Sequence, residues 1–371
     1  MPTDPAPRPA AARYQTIDAW RGIASLGVVA FHSFGPYYRG RVWAPLVPLR
    51  AGAHFGWLGL DLFFVLSGYC IFERLEVAVR RGETAADFWV DRAWRILPGY
   101  WAAMALSLVL AVAAWPFNSV SLAASLPASW PAFGADLSLT HVLFGFSPYI
   151  IVSWTLTCEL AFYLLAGLLL AATRGRLNVA FGLGAALCVL AAFCRPAGWT
   201  LPLSAWPEFF AGAGVSFVLR AHRRRDRAAA GAGLIVLAGL AAAAWYRWGS
   251  YASDSRRFAL GVAVALLALH RWDGWLIQRA PIRLLAWVGT FSYSLYLIHV
   301  QVLTRIMNAG SRVVAPHSPG FAVLWLAGTV AAVACAWMFW SLVERPSEER
   351  RVARRAERSR LRKMAAAPAV T

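Results

Sequence analysis

Charge is scarce in this 371-residue chain: charged residues make up 15% of it, and acids are fewer than bases, 18 against 36. Soluble domains carry about a quarter of their residues as charges, so an ordinary water-soluble core is excluded. Cysteine is rare as well. The five cysteines, at 70, 158, 188, 194 and 335, are scattered through apolar runs without metal-ligand spacing, which makes them small core residues and predicts no metal. No glycine-rich phosphate loop and no internal repeat is present, and not one Lys or Arg falls between Ile96 and Thr173. The residues before Ile17 lack an apolar core, so no cleaved leader is expected and the first helix serves as an uncleaved anchor.

What the chain has in excess is apolar length. It is 59% hydrophobic with 19 tryptophans and a mean hydropathy of +0.53, the signature of an all-α, polytopic membrane bundle. Ten apolar segments are centred on residues 17 to 37, 55 to 73, 96 to 115, 152 to 172, 177 to 194, 205 to 220, 228 to 246, 257 to 270, 284 to 306 and 320 to 342. With both termini cytoplasmic, 27 of the 36 basic residues fall inside, as retention of Lys and Arg by cytoplasmic loops requires. An odd number of spans would put the Arg223–Arg227 run or the basic tail on the wrong side. This gives one transmembrane domain, 17–346, between a short tail, 1–16, and a basic tail, 347–371, with no appended soluble domain. The net charge of +18 does not signify nucleic-acid binding, because the arginines sit in short loops beside helices. The stretch from Arg345 to Lys363, with nine basic and three acidic residues, is expected to lie along the anionic inner leaflet.

Ionisable residues inside such segments are costly and mark sites of binding or chemistry. Arg21 and His32 are eleven positions apart in the first segment, on one helix face and about 16 Å apart along the axis; Asp18 and Ser25 fall near the same stripe. Counting residues from the segment boundaries puts His32, Asp61, Glu159 and His299, from four helices, at one depth in the outer third of the bilayer. A lone membrane His or Asp often just ties helices together; four at one level point to a site. A histidine beside carboxylates has the parts of a general base, so His32 is read as base, Asp61 or Glu159 as its orienter, and His299 as a supporting or substrate-contacting residue. On the inner side Arg92 and Arg95, one turn apart at the start of the third helix, form a phosphate clamp that Arg21 joins. Plain retention of positive charge explains those arginines equally well from sequence alone. A donor with a phosphorylated head and a long thin arm fits the arrangement.

These residues resemble the motifs of the acyltransferase 3 family of integral membrane acyltransferases. The likeness rests on Ile17-Asp-Ala-Trp-Arg-Gly-Ile-Ala24 with His32, Gly59-Leu-Asp-Leu-Phe-Phe-Val-Leu-Ser-Gly-Tyr69, the Arg92/Arg95 pair, and Trp154-Thr-Leu-Thr-Cys-Glu159-Leu-Ala-Phe-Tyr163. Ser292-Tyr-Ser-Leu-Tyr-Leu-Ile-His299 and Val343-Glu-Arg-Pro346 complete it. The resemblance implies a ten-helix enzyme of the bacterial inner membrane that draws acetyl-CoA or another acyl-CoA from the cytoplasm. It implies that His32 is essential, that Arg21, Arg92 and Arg95 handle the donor, and that Asp18, Tyr163 and His299 support the site or contact substrate. Thr155 stands where the family has serine and Leu160 replaces a frequent second acid, leaving Glu159 as that motif's only carboxylate. The expected reaction is O-acyl transfer to a saccharide of the cell surface or for export, lipid-linked or free. A small-metabolite acceptor such as a macrolide, a proton-coupled transporter and an inert scaffold are the alternatives. Acceptor identity and hydroxyl, acyl length, oligomeric state, and whether His32 takes the acceptor proton or first carries the acyl group itself are not legible in the sequence.

Overall fold

The computed structural model describes residues 14–35, 41–117, 121, 123–192, 201–220 and 250–365. All regular structure among them is helical. The long helices are α1 (Ile17–Ser33), α2 (Gly59–Arg80), α3 (Ala85–Ala114), α4 (Trp154–Ala172), α5 (Leu177–Ala192) and α6 (Trp206–Arg220), then α7 (Ser250–Leu269), α8 (Ala280–Thr290), α9 (Ser292–Gly310), α10 (Pro319–Phe339) and α11 (Arg345–Ala365). Nine of the ten apolar segments coincide with these helices. The segment 228 to 246, the Arg223–Arg227 run and Cys194 lie outside the described residues. Among the described residues, four helical stretches are long and apolar enough to cross a membrane: Ala44–Arg80, Ala85–Ala114, Ile151–Ala172 and Pro319–Arg362. A fifth arises if Asp254–Leu276 and Ala280–Thr290, bent by 106° to each other, form one span.

Local chemistry explains the ends and breaks. Thr84 and Asp87 make a reciprocal capping box, the Asp87 carboxylate accepting from the Thr84 N–H at 2.8 Å, and so start α3 abruptly after the turn at Gly82. The segment expected as one helix from 284 to 306 is two, α8 and α9, which meet at Phe291 (φ −112°, ψ 20°). A side chain from elsewhere caps the new N-terminus: Glu344 accepts from the Ser294 N–H at 3.2 Å and its hydroxyl at 2.6 Å. Glu344 ends a five-residue π turn, Trp340–Glu344, between α10 and α11. Pro346, which has no N–H to donate, is the second residue of α11, where the first turn needs none.

Packing among the helices is close. A Cβ at Gly22 would lie 2.0 Å from the Leu285 carbonyl oxygen, and one at Gly289 1.7 Å from that of Asp18, so α1 and α8 touch backbone to backbone. Aromatic layers fill the interior between α2, α4 and α6, with Phe162 stacked on Phe209 at 4.2 Å between ring centres and Phe64 tilted by 32° against Phe209 at 4.6 Å.

Candidate active site

Two cavities lie on either side of Leu60 and Tyr296, which belong to the walls of both. The larger, about 700 Å³, is the arginine-lined one, with seven arginines against six carboxylates, and Arg21, Arg92, Arg95, Glu159 and Tyr163 all line it. Each arginine there already has an acidic neighbour. Arg21 stands 3.7 Å from Asp18, Arg92 donates to Asp91 at 2.6 Å, and Arg95 donates to Glu344 at 2.8 Å. Arg92 and Arg95 are therefore part of a largely buried ion-pair network, which fixes their guanidiniums in place, whereas the Arg21–Asp18 pair is more exposed, at 28% and 39%. Arg92 lies 5.9 Å from the centre of the Tyr163 ring and Arg95 5.7 Å from that of Tyr293. Glu159 accepts from Ser67 at 3.0 Å and from the Tyr163 hydroxyl, so its carboxylate is held against the cavity wall by neutral donors.

His32 lines the second cavity, about 510 Å³, with Phe31, His54, Trp57, Trp154 and Asp254. Its ring is oriented by backbone and by the other histidine. His299, fully buried on α9, places Nδ1 2.8 Å from the Leu295 carbonyl oxygen, and its Nε2 faces His32 Nδ1 at 3.1 Å. A carbonyl only accepts, so the proton of a neutral His299 sits on Nδ1 and its Nε2 presents a lone pair. His32 Nδ1 faces that lone pair and also the Val28 carbonyl oxygen, 3.0 Å away. With both rings neutral it must carry the proton, leaving Nε2 of His32 as the basic nitrogen, with no partner among the described residues. Such a nitrogen can take a proton from a bound hydroxyl.

The four residues expected at one depth thus fall into three places. His32 and His299 meet. Glu159 belongs to the arginine-lined cavity, and Asp61, 6% exposed, turns to α6 and α7, where Glu208 and Ser255 are its neighbours. Neither carboxylate contacts His32; the orienting partner found there is His299. The reason is helical phase: Asp61 shares the α2 face of Val65 and Gly68, which press on α6, whereas Leu60, Phe63 and Ser67 face the arginine-lined cavity. Depth can be counted from sequence, but azimuth is set by the neighbouring helix. Glu208, itself 4% exposed in an apolar segment, was the missed signal for this second polar cluster.

Tyr296 is held by two bonds, Thr155 Oγ1 at 2.6 Å and the Val152 carbonyl at 2.7 Å, so the threonine that replaces the family's serine positions the wall between the cavities. The connecting loop from 130 to 153, which includes the short helix Trp130–Leu137, is locked by buried polar groups. Asp136 accepts from the Tyr149 N–H at 3.2 Å, and His141 Nδ1 lies 3.3 Å from Asp136. Burial pushes the His141 imidazole down to about 4 and the Asp136 carboxyl above its ordinary range.

A model of the acyltransferase domain family named Acyl_transf_3 matches residues 14–341. The chain belongs to the acyltransferase 3 family. Among its relatives is the exopolysaccharide production protein ExoZ of Rhizobium meliloti (strain 1021), 31% identical over 324 residues that cover 82% of this chain and 94% of that protein. Nodulation protein 10 of Rhizobium leguminosarum bv. viciae is 26% identical over 330 residues, 80% of this chain and 84% of the relative. No solved structure matches. Family and apolar helices together make this acyltransferase a multi-pass membrane protein. The four described cysteines of the acyltransferase are free thiols. Among the described residues, no three His, Cys, Asp or Glu side chains are grouped to hold a metal ion.

Proposed function

We propose that this acyltransferase moves an acyl group, acetyl by preference, from acyl-CoA on the cytoplasmic side of the bacterial inner membrane to a hydroxyl of an exported or surface saccharide. The domain is 17–346, with ten spans, both termini cytoplasmic, and tails 1–16 and 347–371. The observation that carries the reading is the pair of cavities, one lined by arginines and one by an oriented histidine, with Leu60 and Tyr296 common to both. Arg21, Arg92 and Arg95 face the phosphates of the donor, and its acyl arm passes Leu60 to reach His32. Tyr163 and Glu159 line that path, and Asp18 holds Arg21.

At His32 the acceptor oxygen attacks the thioester carbonyl while Nε2 takes its proton. The carbon–sulfur bond then breaks, and the imidazolium returns the proton to the departing thiolate. His299 keeps the ring in the tautomer this needs. The saccharide reading is supported by the relative named for exopolysaccharide production and by the lining of the second cavity. There, the flat faces of Trp57 and Trp154 suit sugar rings, and Asp254 and His54 suit hydroxyls. Mass spectrometry of glycans from a deletion strain complemented with wild type or His32→Ala tests it. Acylation restored by wild type and absent with a normally accumulated His32→Ala protein is the expected result; acylation retained in the variant removes His32 from the mechanism.

A further inference from the structure

A third cavity, about 460 Å³, lies between the 81–83 turn, the first turns of α3 and one face of α11. Eight arginines and three carboxylates line it. On α11, Arg351, Arg355, Arg358 and Arg362 recur at helical spacing and form a stripe about 16 Å long. The carboxylates are all engaged: Glu83 with Arg74 at 2.5 Å, Asp91 with Arg74 at 3.0 Å and Arg351 at 2.5 Å, and Asp87 with Arg362. Arg81, Arg354 and Arg358 have no acidic partner among the described residues. Arg354 lies over the Trp94 ring, 4.1 Å from its centre. Arg74, only 7% exposed, leaves its Nη1 without a partner, and Nε of Arg355 makes no hydrogen bond, standing 3.6 Å from Glu83. A buried guanidinium nitrogen left without a partner, in a lining of eight arginines and three carboxylates, is costly unless an anion completes it. Arg74, Arg351 and Arg355 also line the 700 Å³ cavity.

We infer that this cavity binds phosphate, and that the phosphate is the one on the nucleotide ribose of acyl-CoA. The helix α11 therefore belongs to the donor site, in place of the expected position along the inner leaflet. The assignment rests on the reading given under Proposed function. The three shared arginines favour the donor over a lipid headgroup, because they set the site directly beside the arginine-lined 700 Å³ cavity. Arg354 and Arg358, exposed on α11 and free of ion pairs, select the phosphate at the rim, and Arg74 meets it at the base.

The test uses full-length protein in nanodiscs of zwitterionic lipid, titrated with CoA and with dephospho-CoA, which lacks only the ribose phosphate. Wild type binds CoA at least about tenfold tighter, the size of a hydrogen-bonded charge contact. The Arg354→Ala/Arg358→Ala double variant loses that preference and raises KM for acetyl-CoA about tenfold with little change in kcat. The Arg354→Lys/Arg358→Lys protein keeps most of it. Wild type that transfers acetyl groups, paired with a double variant of unchanged CoA affinity, overturns the assignment and leaves the enzymatic reading standing; if the same variant then binds anionic vesicles less well, the cavity serves a lipid headgroup. Wild type that neither binds nor consumes acetyl-CoA overturns the reading and the assignment together.

Discussion

Removing His299 is the sharpest perturbation of the proposed base that leaves the base itself in place. His32 Nδ1–H has two acceptors, the Val28 carbonyl at 3.0 Å and His299 Nε2 at 3.1 Å. His299→Ala deletes the second and keeps the first, so the tautomer survives while the ring loses lateral support. One neutral hydrogen bond contributes about 1 kcal/mol, and about 1.4 kcal/mol is a tenfold change in rate. Acyl transfer by His299→Ala should therefore fall roughly five- to tenfold in kcat. His32→Ala, which removes general base catalysis altogether, should lose about a hundredfold or more. His299→Gln, whose amide oxygen can accept from Nδ1–H, should recover most of the loss. Steady-state transfer of labelled acetyl from acetyl-CoA by purified protein measures all three. A folded His299→Ala protein as inactive as His32→Ala would refute the reasoning and give His299 a direct chemical part; activity equal to wild type would show that the imidazole contact orients nothing.

Glu344→Ala strips Arg95 of its 2.8 Å partner and Ser294 of its cap in one step. It should cost about 2 to 3 kcal/mol of stability, below the figure for a fully buried pair because Arg95 still faces the cavity; Glu344→Gln, which keeps the Ser294 bonds, should cost about half as much in a thermal unfolding assay in detergent. Leu60→Trp, at the junction of the two cavities, should leave CoA binding within about twofold and reduce transfer more than about a hundredfold by blocking near-attack geometry; transfer at the wild-type rate would mean the acyl arm takes another route. His141, held near 4 by burial, stays neutral in the folded loop while its unfolded counterpart protonates below about pH 6.5. Stability of the 130–153 loop therefore falls as pH drops from about 6.5 towards 4, and limited proteolysis should show this acid sensitivity reduced in His141→Asn.

Most of the helix pattern was written in the composition, because apolar runs of the right length have one stable arrangement in a bilayer. The break at Phe291 was not. It depends on Glu344, distant in sequence, supplying the cap for α9, and no local pattern in 284 to 306 announces that. The site was legible by residue type and unevenly by contact. Arg21, Arg92 and Arg95 share one cavity, and His32 meets His299, but Glu159, expected at the depth of His32, lines the cavity of the arginines with Tyr163. Asp61 was expected beside His32 from its depth, yet its α2 face is the one pressed against α6. Charge balance was also hidden: the acids that pair with the predicted clamp, Asp91 and Glu344, look like ordinary boundary residues until the fold brings them to Arg92 and Arg95.

Proteoliposomes with the protein in one orientation, acetyl-CoA confined to the face bearing α11, and a saccharide acceptor confined to the opposite face address the account most directly. Labelled acetyl groups appearing on the saccharide across the membrane, and absent with His32→Ala, are what joined cavities require. Product formed only when donor and acceptor share one compartment would contradict the account.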